Sequence, residues 1–249
     1  MAQLDNRYAQ PPTMARAGVA VDEGLRAYML GVYNYMAAGV ALTGVAAYIT
    51  SRLAGGSIAT LTPFGLALYT SPLRWVVMLA PLGFVLFLGF RLQQMSIGAA
   101  QVAFWLFAAV MGISLSSIFL VFTGQSITQI FFVTAATFGA LSLWGYTTKR
   151  DISGWGSFLF MGLVGIIIAA LVNIFLQSSG LQFAISVIGV LVFAGLTAYD
   201  TQRIKDGYLM IRHDATMVAK SAIMGALNLY LDFINMFIML LQLFGNSRN

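Results

Sequence analysis

Residues 226–245 read ALNLYLDFINMFIMLLQLFG. Twenty residues of helix rise roughly 30 Å, the thickness of a bilayer's hydrocarbon core, and this stretch is apolar enough to lie there. Asn228, Asp232 and Asn235 interrupt it at i, i+4 and i+7, so they form one stripe on one face. Their neighbours Leu229, Leu231, Phe233 and Ile234 are apolar. A membrane helix that is apolar around a single polar seam turns that seam toward a bundle interior or a water cavity. The stretch therefore implies several partner helices around it.

One such partner precedes it. Residues 187–200 read VIGVLVFAGLTAYD, with Thr197 and Asp200 three apart on one face and Arg203 continuing the row. The chain has eight acidic residues. Asp5, Asp22, Glu23, Asp151, Asp206 and Asp214 fall in the N-terminal segment or in charged connectors, and only Asp200 and Asp232 fall inside apolar stretches. A carboxylate at membrane depth is costly, so such groups are usually turned inward, paired and functional; the alternative is a protonated acid hydrogen-bonded between helices as structural glue.

Composition agrees with a membrane setting. Of 249 residues, 59% are hydrophobic and 8% charged, against about 25% charged in soluble domains. With no cysteine and one histidine, Cys/His metal and haem sites, disulfides and thiol nucleophiles are excluded. The net charge of +5 comes from residues flanking apolar stretches, without a Lys/Arg run, so nucleic acid is not an expected partner. Residues 1–26 are polar, contain Pro11-Pro12, and lack the apolar core of a signal peptide. They are expected to form a disordered cytoplasmic tail ahead of one membrane domain over 27–245.

Charges and polar breaks divide that domain into seven spans. These run at about Ala27–Thr50, Pro72–Phe90, Ala99–Phe122, Ile127–Tyr146, Trp155–Leu176, Leu181–Arg203 and Ser221–Phe244. The breaks Thr123-Gly124-Gln125-Ser126 and Gln177-Ser178-Ser179-Gly180 split two long uncharged stretches. Residues 53–71, rich in Gly, Ser and Thr, read as a long loop that leaves a further short span open. With this count, ten Lys and Arg fall on the N-terminal side and three (Arg52, Arg74, Arg248) on the other. That asymmetry predicts a multi-pass cell-membrane protein with its N-terminus in the cytoplasm and its C-terminus outside. The fold class is thus all-α integral membrane. Gly39, Gly44, Gly162, Gly165, Gly189 and Gly195 lie mid-span, where small residues let helices approach. Asn34 and Asn173 read as buried interhelical glue.

Two segments, GLTAYDTQRIKD (195–206) and NLYLDFINMFIMLLQLFG (228–245), together resemble the signature regions of the Bax inhibitor-1 family. YNYMAAGVALTGVAAY (33–48) and SPLRWVVMLAPLGFV (71–85) look like its bacterial branch. The resemblance implies a seven-helix bundle whose last helix is wrapped by the other six. It also implies a pH-controlled calcium leak in which Asp200 and Asp232 form the proton-sensing pair. Arg91 matches an arginine that latches onto the first aspartate in bacterial relatives. One departure stands out: some of those relatives carry a glutamate within the second helix, where this chain has Ala80-Pro81. The connector from Thr201 to Lys220 also reads as longer than in compact relatives.

Two carboxylates in one buried site cannot both ionise without cost, and they titrate as a pair. When ionised they would hold a cation, and Asp200, Asp232, Asn228, Asn235 and waters would give calcium a weak site suited to passage, with no resident cofactor. A second function class also follows from the resemblance: a regulatory partner of a membrane-bound ATP-dependent protease, gripped through residues 1–26. An enzyme is not expected. His213 lies in a charged connector without a nucleophile elbow, and Asp232 sits in LDF where an intramembrane aspartyl protease would carry GLGD.

Overall fold

The computed structural model describes residues 12–57 and 60–248, with side chains from residue 23 onward. Its helices are α1 (Pro12–Leu53), α2 (Pro63–Tyr69), α3 (Leu73–Arg91), α4 (Ile97–Leu115), α5 (Ile118–Val121), α6 (Gly124–Thr147), α7 (Trp155–Leu176), α8 (Ser179–Ile211) and α9 (Ala215–Phe244). Seven helical segments are long and apolar enough to cross a membrane: Glu23–Leu53, Leu73–Gln94, Ile97–Val121, Gly124–Thr147, Trp155–Leu176, Ser179–Ile211 and Ala215–Phe244. The expected count holds, and the protein is an all-α, multi-pass membrane bundle. Its outer surface carries large apolar side chains, Phe175 at 88% and Phe90 at 78% exposed, which suits lipid as the surrounding solvent.

The polar breaks in the sequence act as helix caps. Thr123 Oγ1 accepts from the backbone N–H of Ser126 at the start of α6, and Ser178 Oγ accepts from that of Leu181 at the start of α8. Gln177 ends α7 in the left-handed region, with φ of 49°. Such caps satisfy amides that a helix end leaves bare. Between α1 and α2 the chain turns through Gly55 and Gly56, both at positive φ, where side chains are strained. α2 has seven residues, too few to cross, so residues 53–71 add no span.

α9 is the axis. Of its most apolar window 67% is buried, against 11% for α3 and for α7. It packs directly on α8, α1, α6 and α4, whereas α3 packs mainly on α4 and α7 on α8. The expectation of a last helix wrapped by all six others is therefore corrected: four surround it, and two form an outer layer. Two glycines set the tightest crossings. A Cβ on Gly112 would lie 2.5 Å from the Thr43 carbonyl oxygen, and one on Gly145 would lie 2.4 Å from that of Ala198. Gly39, Gly162, Gly189 and Gly195 also back onto neighbouring side chains, but Gly44 and Gly165 face open space.

Three further expectations change. The connector expected over 201–220 is helix except at Arg212–Asp214, because α8 runs on to Ile211. That extension is held by buried Ile204 and Tyr208 and by Lys205, whose Nζ donates to the Tyr146 carbonyl at 3.0 Å, at the end of α6. Gln202 clasps the α6–α7 loop, donating to the Arg150 carbonyl at 2.8 Å and accepting from the Ile152 N–H at 3.0 Å. In that loop Asp151 accepts from the Ser153 N–H, which holds its carboxyl below the usual carboxylate range. Asn34 is exposed rather than buried glue, while Asn173 does bridge helices, donating to Gln182 at 3.1 Å. From Pro12 the backbone is helical and continuous with the first span, where a tail was expected. Residues 1–11, the remainder of that tail and of the segment assigned to a protease partner, lie outside the described residues.

Both ends of α9 are fastened. At its start Asp214 caps the amides of Thr216 and Met217, and Lys220 Nζ donates to the Gln93 carbonyl at 2.9 Å. Beyond its end, the Asn246 N–H donates to Ser126 Oγ at 2.9 Å, and the Asn246 carbonyl accepts from Thr123 at 3.1 Å. Arg248 donates from its backbone to Val121 at 2.8 Å, and from its guanidinium to the carbonyls of Gly56 at 2.9 Å and Phe119 at 3.0 Å.

Candidate functional site: the aspartate pair

α8 and α9 form the most extensive helix pair in the bundle, running antiparallel. Ile204 lies against Gly225 and Met239 against Gly189. That register sets position 200 level with 228 and 229, and position 197 level with 232. Thr197 and Asp200 on α8 thus oppose Asn228 and Asp232 on α9, with the aspartates offset by about one helical turn. The two carboxyl groups act on each other electrostatically, and Arg203, one turn along α8, acts on Asp200. The extension of α8 makes this possible. Asp200, which reads in the sequence as lying near the end of its span, stands eleven residues short of Ile211, deep enough to meet its partner.

Asp232 is 5% exposed, and its Oδ2 is buried without a hydrogen-bond partner. Buried polar atoms are nearly always satisfied, so an orphaned carboxyl oxygen marks a place built for a proton, a water or a cation. Asp200 is half-buried and makes no hydrogen bond among the described residues. Beside the pair, toward the end of the bundle that carries most basic residues, lies a cavity of about 470 Å³. Tyr199, Arg203, Asp206 and Asn228 line it and neither aspartate of the pair does, so it reaches from charged surface to a residue one turn short of Asp232. Among the described residues no group of three or more Asp, Glu or His side chains gathers. A calcium ion at the pair would meet two carboxylates rather than a cage, which fits transient rather than tight holding.

The rest of the seam divides. Thr197 Oγ1 donates to the Phe193 carbonyl at 2.8 Å and Asn235 Nδ2 to the Leu231 carbonyl at 2.8 Å, so both spend a donor on their own helix. Asn228 makes no hydrogen bond among the described residues and faces the cavity. Arg91 is exposed at the end of α3 and donates to Gln94 Oε1 at 3.2 Å. No ion pair joins it to Asp200, so the expected latch contact is not made in this structure, and the cation that acts on Asp200 is Arg203. His213 is exposed, with Arg212 Nε donating to its Nε2 at 3.3 Å.

One feature escaped sequence reasoning. Thr201 donates to the Thr197 carbonyl at 2.7 Å, which leaves its oxygen to accept from Ser142 at 2.9 Å. Since each hydroxyl has one proton, Ser142 in turn accepts from Tyr33 at 2.6 Å. A polarised row of hydroxyls therefore joins α1, α6 and α8 beside Asp200. Its members are 109 and 59 residues apart, and no local pattern marks them as partners.

Residues 25–249 match the family model described as inhibitor of apoptosis-promoting Bax1. A Caulobacter vibrioides protein is 45% identical over 249 residues, covering all of both chains. The Rickettsia prowazekii protein RP147 is 45% identical, with 97% of this chain and 99% of its own covered. The Escherichia coli inner membrane protein YbhL is 46% identical over 90% of this chain and 94% of its own.

Proposed function

This chain belongs to the Bax inhibitor-1 family, and from that premise we propose that it is a pH-sensitive cation leak of the cell inner membrane, with calcium as the permeant ion. The observation that carries this reading is the orphaned Oδ2 of Asp232, buried at the centre of the bundle opposite a second carboxyl group. A protonated pair is compatible with an apolar interior. An ionised pair is not, unless a cation enters, because two like charges there repel and lack solvent. Proton and cation therefore compete for one place, and the pair carries ions rather than catalysing a reaction. The cavity lined by Asn228 and Asp206 provides the wet approach. Closing the path through Arg91 requires that side chain to leave Gln94 and reach Asp200, a second conformation of the same bundle.

The test is calcium flux into dye-loaded vesicles holding the purified protein. Wild type should leak well above protein-free vesicles, and Asp232→Asn should lose most of that leak while keeping its thermal melting point. Equal leak from wild type, Asp232→Asn and Asp200→Asn would sink the reading and leave the aspartates as glue.

A further inference from the structure

α1 and α6 both flank the central helix, yet they pack scarcely against each other. Two cavities lie one above the other along the seam between them. The first, about 370 Å³, stands at the basic end and is bounded by Arg26, Tyr33, Gly139, Ser142 and Tyr146 with apolar side chains between. The second, about 300 Å³, lies toward the opposite end, between Gly44, Thr128, Phe132 and Phe237. Phe138 lines the first and Phe131 the second, and both are edge-on to Phe233. From Arg26 to Ala47 the seam follows α1 for roughly 30 Å, the depth of a bilayer's apolar core.

We infer that this seam is a binding groove for one anionic phospholipid, with its phosphate at Arg26 and Tyr146 and an acyl chain laid along α1 and α6. Charge and shape both select that occupant. The wall of the first cavity has a cation and three hydroxyls but no carboxylate. Arg26 is exposed and makes neither an ion pair nor a hydrogen bond among the described residues, so its fork of donors is available to a phosphate. Tyr33 and Ser142 turn their protons inward along the row to Thr201, which leaves Tyr146 as the hydroxyl of this lining that makes no hydrogen bond among the described residues. Below this polar mouth the walls are apolar. Gly139 in the first cavity and Gly44 in the second are placed so that a Cβ would meet nothing within 4 Å. Both grooves therefore have spare width along their floors, as an acyl chain requires. An occupied groove would press on Tyr33 and Ser142, whose hydroxyl row ends on α8 one residue from Asp200.

The inference is tested by native mass spectrometry of the delipidated full chain titrated with phosphatidylglycerol or phosphatidylcholine. One phosphatidylglycerol should bind in preference to phosphatidylcholine. Arg26→Gln should lower phosphatidylglycerol occupancy about fivefold, to the level of the neutral lipid. Gly139→Leu should lower both lipids, because it grows into a void where an added Cβ meets nothing within 4 Å. Gly83→Leu, on the lipid-facing side of α3 and also in open space, should change neither. The groove is refuted if the two lipids bind alike and Arg26→Gln has no effect, or if Gly83→Leu matches Gly139→Leu, which indicates general annular lipid. It is equally refuted if a dimer forms that Gly139→Leu abolishes, since a second copy then fills the seam.

Discussion

Asp200 and Asp232 stand about one helical turn apart across the antiparallel α8–α9 pair, each charge acting on the other and one carboxyl oxygen of Asp232 left without a partner. Here the nearest acting cation, Arg203, lies on the same helix as Asp200 and lines the cavity that opens to the basic end.

The proposed pH response of the pair has a defined sign for cation binding. As pH falls the pair takes up protons and loses charge, so cation occupancy should fall; as pH rises it should increase. Terbium luminescence against pH should follow that curve in wild type and flatten in Asp200→Asn and Asp232→Asn. His213→Ala should leave it unchanged, because His213 is exposed in the Arg212–Asp214 connector. A flat curve in His213→Ala alone would assign the response to the histidine.

Arg203 is the cation that acts on Asp200. Replacing it by Gln should shift the midpoint of the same curve, more at low salt than at high salt, since Arg203 is exposed. Arg203→Lys should restore most of the difference. Identical midpoints for Gln and wild type would show that the field at Asp200 comes from elsewhere.

Tyr230 is fully buried on α9, edge-on to Phe104 and Phe107, and its hydroxyl shares a 2.6 Å hydrogen bond with Thr43. Thr43 also donates to the Ala108 carbonyl at 2.8 Å, so the tyrosine is the donor of the shared bond. Thr43→Val should strand that proton and cost about 1–3 kcal/mol, read as a lowered melting temperature. Adding Tyr230→Phe should recover part of the loss. A double variant whose loss equals the sum of the two singles would show that the pair is not coupled.

The seven spans and the ten-to-three basic asymmetry read from the sequence together predict chain ends on opposite faces, the basic one cytoplasmic. Reporter fusions at Gln125 and Arg248 should read as outside and a fusion at Lys149 as cytoplasmic. A cytoplasmic Arg248 would overturn the orientation.

The spans were legible because each is an apolar run of bilayer length fenced by charges or by a capping Ser or Thr. The aspartate pair was legible because eight acids are few, and only two fall in such runs. Less was visible where charged residues continue a helix. After Arg203 the composition turns polar and reads as connector, yet Ile204 and Tyr208, four apart, already mark a helix face that packs inward. The two-layer arrangement was only half legible: α7 is the most apolar of the seven spans, as suits an outer helix, but α3 is no more apolar than α4 or α8, which touch the axis. The partner of Arg91 was not legible, because a long exposed side chain chooses among neighbours that only the tertiary structure supplies.

The fastening of Asn246 and Arg248 to the turns around Gly56, Val121 and Ser126 has a mechanical consequence. With Lys220 gripping the end of α3 at one membrane face and this C-terminal clasp at the other, α9 cannot slide along its own length without breaking hydrogen bonds at both faces. A piston stroke is thereby disfavoured. Opening of the proposed path has to come from the sheath leaning or rotating about a stationary axle, so distance changes between conformations should be largest between outer helices and smallest from Asp232 to Arg248.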